Sequence, residues 1–401
     1  MSSNIHAALE IGTSRTVMAI AESGDGGRLK VICHAEIPST GVRKSQILDV
    51  QQATESIRTV LKEIERRQDA SGSRVMINNT LLVVSGQHVE ATPVQGTAIV
   101  NGAKISSDDI DEVSRSARSI PVPKGRELLD IVDRDYEVND LKGVNSPKGM
   151  SGHTLKLNAF NIHADSNSIQ NARNAALNVH LEIREPVFAV TCAADAVLEE
   201  YERRNGVLVI DLGGGSTGYA AYTDGLLAAT GVIGVGGDHI TNDIACAFQT
   251  TNAQAEQLKT EEASATLGQY TNDNARVKIS GSSSLMENRT ISRRALDTVV
   301  NARLKELFTI LRETIEDEDL ANRLHAGVVL TGGGAAQDDI ARLAEQELGL
   351  PVRVGTPMNI EGLDKVQDPW TFAVISGALM YSQRNCEEKS ILDGLFGRFF
   401  K

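Results

Sequence analysis

Apolar and polar positions recur along the chain in one order: a short apolar run, a carboxylate, glycines and hydroxyls, then a second apolar run closed by an Asp-Gly pair. The stretch VLVIDLGGGSTGYAAYTDGLLAATGVI, beginning at Val207, is the clearest copy. A buried strand ends near Asp211, a glycine loop follows, and Asp224-Gly225 between short apolar segments predicts a β-hairpin with a primed turn. AALEIGTSRTVMAIAESGDGGRLKVI, beginning at Ala7, repeats this with Glu10 on Asp211, Gly12 on Gly213, hydroxyls at Thr13 and Thr16, and an Asp25-Gly26 turn. Two such hairpins predict two similar α/β lobes facing one ligand.

A third apolar run, GVVLTGGGAAQDDIARLAEQELGLPVRV, predicts a strand, a loop of Gly332, Gly333 and Gly334, and a helix with Asp338 and Asp339 in its first turn and a Gly-Leu-Pro stop. Such a loop can seat a flat base or ribose at close approach. REPVFAVTCAADAVLEEY, beginning at Arg184, predicts a strand followed by a helix. At the end, SILDGLFGRFFK places Ile391, Leu392, Leu395, Phe396, Phe399 and Phe400 within one half-circle of a helix, with Asp393, Arg398 and Lys401 opposite.

The loop GGGSTG formally matches both GxGxxG and GxSxG. Both of those motifs require a helix straight after the loop, and the hairpin removes it. A carboxylate at a strand tip beside glycines that expose backbone N–H groups suits a phosphate and a hydrated cation. A glycine turn serving only the sheet is the plainer alternative.

Composition narrows the partners. The 401 residues are 41% apolar, which is ordinary for a globular protein, and a net charge of -13 argues against nucleic acid. Cys33, Cys192, Cys246 and Cys386 are scattered without a CxxC, so no disulfide framework or zinc knuckle is expected. The N-terminus lacks the features of a secretion signal, and no 18-residue apolar run follows. A reducing cytosol fits these features.

The acid-glycine hairpin twice, then strand-TGGG-helix, resembles the actin-like ATPase superfamily. That resemblance implies two lobes, each built on a duplicated ribonuclease-H-like domain, with residues 9 to 16 and 208 to 218 as phosphate loops and 328 to 336 as the adenosine loop. ATP and Mg²⁺ are the implied cofactors. The expected nucleotide contacts are Glu10, Gly12, Thr13, Ser14, Arg15, Asp211, Gly213, Gly214, Gly215, Ser216, Thr217, Gly332, Gly333 and Gly334, with Glu10 and Asp211 holding Mg²⁺ through water.

Between the phosphate loops, Ser85, Gly86 and His88, then Tyr136, Val138, Gly143, Pro147, Gly149, Met150 and Gly152, resemble the small inserted domain of the FtsA family of division proteins. Residues 236 to 258 are similar to FtsA as well, which adds Gly236, Gly237, Asp238 and Lys259 to the nucleotide contacts. The implied organisation is a first lobe of 1–84 and 164–205, an insert of 85–163, a second lobe of 206–245 and 325–385, a subdomain of 246–324, and a linker with a membrane-targeting helix at 386–401.

Several roles follow from the resemblance alone. Asp195 aligns with the actin glutamine that orients the attacking water, its plainer reading being a polar residue on an exposed helix start. Glu10 stands where aspartate is commoner, so slow or absent ATP hydrolysis is expected. Arg289 and Arg303, with Arg293 and Arg294, are implied to meet the acidic C-terminal tail of FtsZ; a solvated helix face is the alternative. The terminal helix is implied to lie on an anionic membrane, its alternative being a helix docked on its own core. Head-to-tail filaments and recruitment of later division proteins at the septum, on the inner membrane face, complete the expectation. A PilM-type pilus-assembly protein and a true ATPase or kinase are the rivals.

Overall fold

The computed structural model describes residues 5–24, 27–72, 74–77, 79–268, 275–279, 289–364 and 366–399, with side chains omitted at Ser71 and beyond residue 386. The first lobe opens with β1 (Ile5–Ile11), β2 (Arg15–Ser23) and β3 (Leu29–Pro38), then the short β4 (Val42–Arg43) and β5 (Gln46–Ile47), α1 (Val50–Ser71) and β6 (Thr80–Val84). An insert follows, formed by β7 (Val89–Ile99), α2 (Ser107–Arg118), β8 (Arg126–Val138), β9 (Leu141–Val144) and β10 (Thr154–Asp165). The chain returns through α3 (Ser166–Leu177), β11 (Ile183–Phe188), α4 (Ala189–Val197) and α5 (Glu200–Asn205).

The second lobe repeats the opening with β12 (Val207–Leu212), β13 (Thr217–Thr223) and β14 (Leu226–Ile233). Next come α6 (Gly237–Phe248), α7 (Asn252–Glu261), β15 (Arg276–Ile279), β16 (Arg289–Ser292) and α8 (Arg293–Asp317). The lobe closes with β17 (Gly327–Thr331), α9 (Ile340–Leu348) and β18 (Val352–Val354), while β19 (Ile360–Glu361) and α10 (Ala373–Phe399) cross back to the first lobe.

The sheet orders show the duplication. The first sheet runs β11-β6-β1-β2-β3-β19 and the second runs β14-β13-β12-β17-β18. In each, an antiparallel meander borders a parallel strand, with β1 on β6 and β12 on β17. The hairpin registers match: Ile11 opposes Thr16 and Leu212 opposes Thr217. Apolar residues on both faces of the central strands explain this, because Ala7, Ala8 and Leu9, like Val207, Leu208, Val209 and Ile210, are completely buried.

The second hairpin has the primed turn its sequence predicts, since Asp224 and Gly225 have φ of 56° and 83°. No helix follows the glycine loop, which disposes of the cofactor-fingerprint and nucleophile-elbow readings. The equivalent pair Asp25-Gly26 lies outside the described residues. The insert forms its own sheet, β7-β10-β8-β9, and α2 covers it through a small separate core of Val113, Ala117, Leu155 and Leu157.

Candidate functional site

Each duplicated hairpin carries the same turn at its tip. Gly12 N–H donates to Arg15 O at 2.9 Å, and Gly213 N–H donates to Ser216 O at 3.0 Å. The two tips face one cavity of about 170 Å³ between the lobes. It brings together Glu10, Gly12, Thr13, Ser14, Arg15, Asp211, Gly213, Gly214, Gly215, Ser216, Gly332 and Gly333.

Electrostatics give this cavity its character. Burial raises the Glu10 carboxyl above its ordinary range against the opposing charge of Arg15, and Asp211 is pushed up to about 7 by burial and then by Glu10. Arg15 opposes the shift at both carboxyls, while its guanidinium bonds Glu36 at 2.6 Å and also the Thr371 carbonyl. Two neighbouring carboxyls whose charged forms burial disfavours suit a cation that would balance their charge. Mg²⁺ is commonly held by one or two carboxylates together with waters and phosphate oxygens, and this donor set fits that habit.

A second cavity of about 230 Å³ adjoins the first and shares Ser14, Gly213, Gly214 and Gly333 with it. Its other walls include Gly236 and Gly237 at the start of α6, Lys259 on α7, Thr217, Gly334 and Gln337. Gly236 is required for this packing, because a Cβ there would stand 2.5 Å from Gly214 O and 2.7 Å from Ser216 N. The first amides of α6 are spent on the loop itself, Gly237 N–H donating to Gly213 O and Asp238 N–H to Gly214 O. Lys259 Nζ is held at the wall by Glu256 at 2.6 Å and Thr241 at 3.0 Å. Thr217 is buried and donates its hydroxyl to Val235 O, so its side chain fixes the loop.

Three expectations meet a different geometry. Asp195 does not face the cleft: Ala189 and Val190 at the start of α4 line it, whereas Asp195 lies in a different cavity beside Asp130 and Tyr222. There its carboxylate pairs with Arg203 at 2.8 Å and with Arg384. Arg303 is turned inward as well. It lines the second cavity and bonds Asp243 through two nitrogens, at 2.6 and 3.1 Å, and Glu306 at 2.5 Å, so an acidic tail would have to displace these partners. Asp338 and Asp339 precede α9 instead of forming its first turn, because the 3₁₀ turn Gly333–Ala336 and a left-handed Asp339 at φ 60° intervene.

The other arginines remain at the surface. Arg289 is exposed on β16 and bonds Gln249 O at 2.9 Å, Arg293 pairs with Glu262 at 3.5 Å, and Arg294 is exposed at the start of α8. The backbone of α10 is helical to Phe399, but the side chains of Ile391, Leu392, Leu395, Phe396 and Phe399 lie outside the described residues, as does Phe400 entirely. Among the described residues no helix is long and apolar enough to cross a membrane.

Comparison with known proteins agrees with this geometry. A family described as "Cell division protein FtsA" matches residues 208–377, and "SHS2 domain inserted in FTSA" matches residues 86–163. The cell division protein FtsA of Pseudomonas aeruginosa is 31% identical over 374 residues, covering 93% of this chain and 88% of that protein. The chain belongs to the FtsA family. FtsA of Borreliella burgdorferi is 30% identical over 95% of this chain and 91% of its own length, and that of Escherichia coli K12 is 28% identical over 94% and 90%.

Solved structures agree on the actin-like fold. The "PilM-PilN type IV pilus biogenesis complex" superposes with a TM-score of 0.65 at 18% identity, over 94% of this chain and 98% of that one. MreB 5 of Spiroplasma citri, solved with AMPPNP, gives 0.58 at 16% identity over 98% and 100%. At such identities the likeness to PilM is one of fold, and the FtsA assignment rests on the sequence relatives. The sequence marked Ser85 only as part of the insert's motif, whereas the structure also sets it in the first cavity; Ser45 there and Gln337 in the second went unmarked. Ser45 sits in no glycine motif, so nothing local marked it.

Proposed function

We propose that this FtsA-family chain binds ATP with Mg²⁺ between its lobes and acts as a membrane-attached adaptor for FtsZ filaments. The observation that carries the reading is the pair of equivalent turns facing one cavity, with Glu10 and Asp211 buried side by side at their bases. When bound, the metal would neutralise phosphate charge. Glu10 and Asp211 would hold its water shell, the loops Thr13–Arg15 and Gly214–Ser216 would face the phosphates, and Gly333, Gly334 and Lys259 would bound the nucleoside in the adjoining cavity.

Turnover is slow in this account. Among the described residues the first cavity is lined by no carboxylate beyond Glu10 and Asp211, the two assigned to the cation, and Asp195 is paired elsewhere. Binding therefore serves closure of the lobes and head-to-tail assembly into filaments.

The terminal half-circle of Ile391, Leu392, Leu395, Phe396, Phe399 and Phe400 supports attachment to the inner face of an anionic membrane. A single short helix holds lipid weakly, whereas copies arrayed in a filament gain roughly 10² to 10⁴ in avidity. The exposed Arg289 and Arg294, with the half-buried Arg293, are the better-placed group for the acidic FtsZ tail, since arginine recognises carboxylates through paired donors. Recruitment of later division proteins to the septum would fall to the insert. Co-sedimentation of the full chain and FtsZ with anionic liposomes in Mg-ATP tests this function: FtsZ should pellet only when the chain is present, and FtsZ remaining in the supernatant would overturn it.

A further inference from the structure

The strands β4 and β5 are joined by a two-residue turn, Lys44-Ser45, that reaches from the first lobe into the cleft. Both residues have positive φ, 50° and 59°, although neither is Gly, Asn or Asp. Such strain persists where the surroundings over-determine it, and it gathers at functional sites. Here the surroundings are the two phosphate loops. Ser45 N–H donates to Thr13 Oγ1 at 2.8 Å in the first, and Ser45 Oγ lies 3.2 Å from Ser216 Oγ in the second. Lys44 lies against Gly215, where an added Cβ would come within 2.8 Å of its Cα.

The same turn touches the entry to the insert. Gly86, at φ 111°, has no room for a side chain because a Cβ would stand 2.8 Å from Ser45 Cβ and 3.4 Å from the His88 ring. Ser45 thus contacts both lobes and the first residues of the insert, at the end of the cleft that the adjoining nucleoside-side cavity does not reach.

Resting on the nucleotide reading above, we propose that the Lys44-Ser45 turn reads the terminal phosphate of the bound nucleotide and reports it to the insert. A triphosphate laid from the nucleoside-side cavity past Gly213 and Gly214 brings its last phosphate toward Ser45, whose N–H and hydroxyl exchange Thr13 and Ser216 for phosphate oxygens. A diphosphate stops short and leaves the Thr13–Ser45–Ser216 contacts intact. The shift of Ser45 is then passed to Gly86 and His88.

The test compares ATP and ADP affinities of the full chain in Mg²⁺ by competition against a fluorescent nucleotide, for the unaltered protein, Ser45→Ala and Gly86→Ala. The unaltered chain should prefer ATP. Each variant should lose about tenfold in ATP affinity, the size of a hydrogen bond to a charged group, with ADP affinity unchanged within about twofold. Equal losses for both nucleotides, or no loss for either, would overturn the proposal. Should Gly86→Ala fail to fold, Ser45→Ala decides alone. Hydrogen exchange at residues 86 to 89 should slow more with ATP than with ADP, and identical exchange would contradict the relay. If the unaltered chain binds neither nucleotide, the nucleotide reading itself fails; if it binds both equally, only the sensing role does.

Discussion

Glu10 and Asp211 end equivalent strands in the two lobes, and the charge of Glu10 helps burial hold the proton on Asp211. Nothing in either hairpin alone produces this, because each strand tip supplies one carboxylate. The site exists only where the duplicated lobes meet.

This pair makes the nucleotide-free protein pH-sensitive. A carboxyl that is ordinarily near 4 and is raised to about 7 when folded stabilises the fold below about pH 4 and loses that contribution as pH rises through 7. Three pH units at about 1.4 kcal/mol each make this about 4 kcal/mol, with Glu10 acting in the same direction. Asp211→Asn should therefore raise the melting temperature of the nucleotide-free chain at pH 8 by several degrees and leave it little changed at pH 4, as differential scanning calorimetry can show. A lower melting temperature at pH 8 would count against the buried-pair account.

Gly236 holds the start of α6 against the second phosphate loop. Gly236→Ala places a methyl 2.5 Å from Gly214 O and should cost about 1 to 3 kcal/mol, expressed mainly as weaker nucleotide binding. Fluorescent-nucleotide titration would reveal it, and unaltered affinity would show that the helix start has slack.

Arg303 and Arg294 separate two roles that the sequence joined. Arg303→Glu breaks the hydrogen bonds to Asp243 and Glu306 and should weaken nucleotide binding or the fold by roughly 1 to 3 kcal/mol. Arg294→Glu, on the exposed start of α8, should instead lower affinity for an acidic FtsZ tail peptide several-fold with nucleotide affinity unchanged. Isothermal titration with peptide and nucleotide distinguishes them; the reverse pattern would return tail binding to Arg303.

Removing the chain after Glu388 deletes the apolar half-circle that ends the sequence. Liposome sedimentation should disappear while nucleotide binding is retained. Persistent pelleting would mean that lipid attachment resides elsewhere.

Much of this architecture was legible because its signals are local. Apolar runs fixed the central strands, and Asp224-Gly225 suits the two positive φ values of a primed turn. Lys44-Ser45 adopts the same sign of φ with residues that ordinarily avoid it, so its turn was invisible. The position of Asp195 was hidden for another reason: alignment places a residue on a helix without fixing which face meets the cleft. Six residues beyond Ala189, at about 100° per residue, it has rotated well away from the lining positions. Arg303 was assigned to tail binding by resemblance, but Asp243, sixty residues earlier in the chain, claims its guanidinium.

The central claim is that Glu10 and Asp211 together hold a metal-nucleotide complex between the lobes. Isothermal titration of the full chain with ATP, with and without Mg²⁺, tests it most directly when repeated on Asp211→Asn. The account predicts one-to-one binding that depends on Mg²⁺, strengthens as pH rises through about 7 and is lost in the variant. Binding that ignores Mg²⁺, or that survives unchanged in Asp211→Asn, would contradict it.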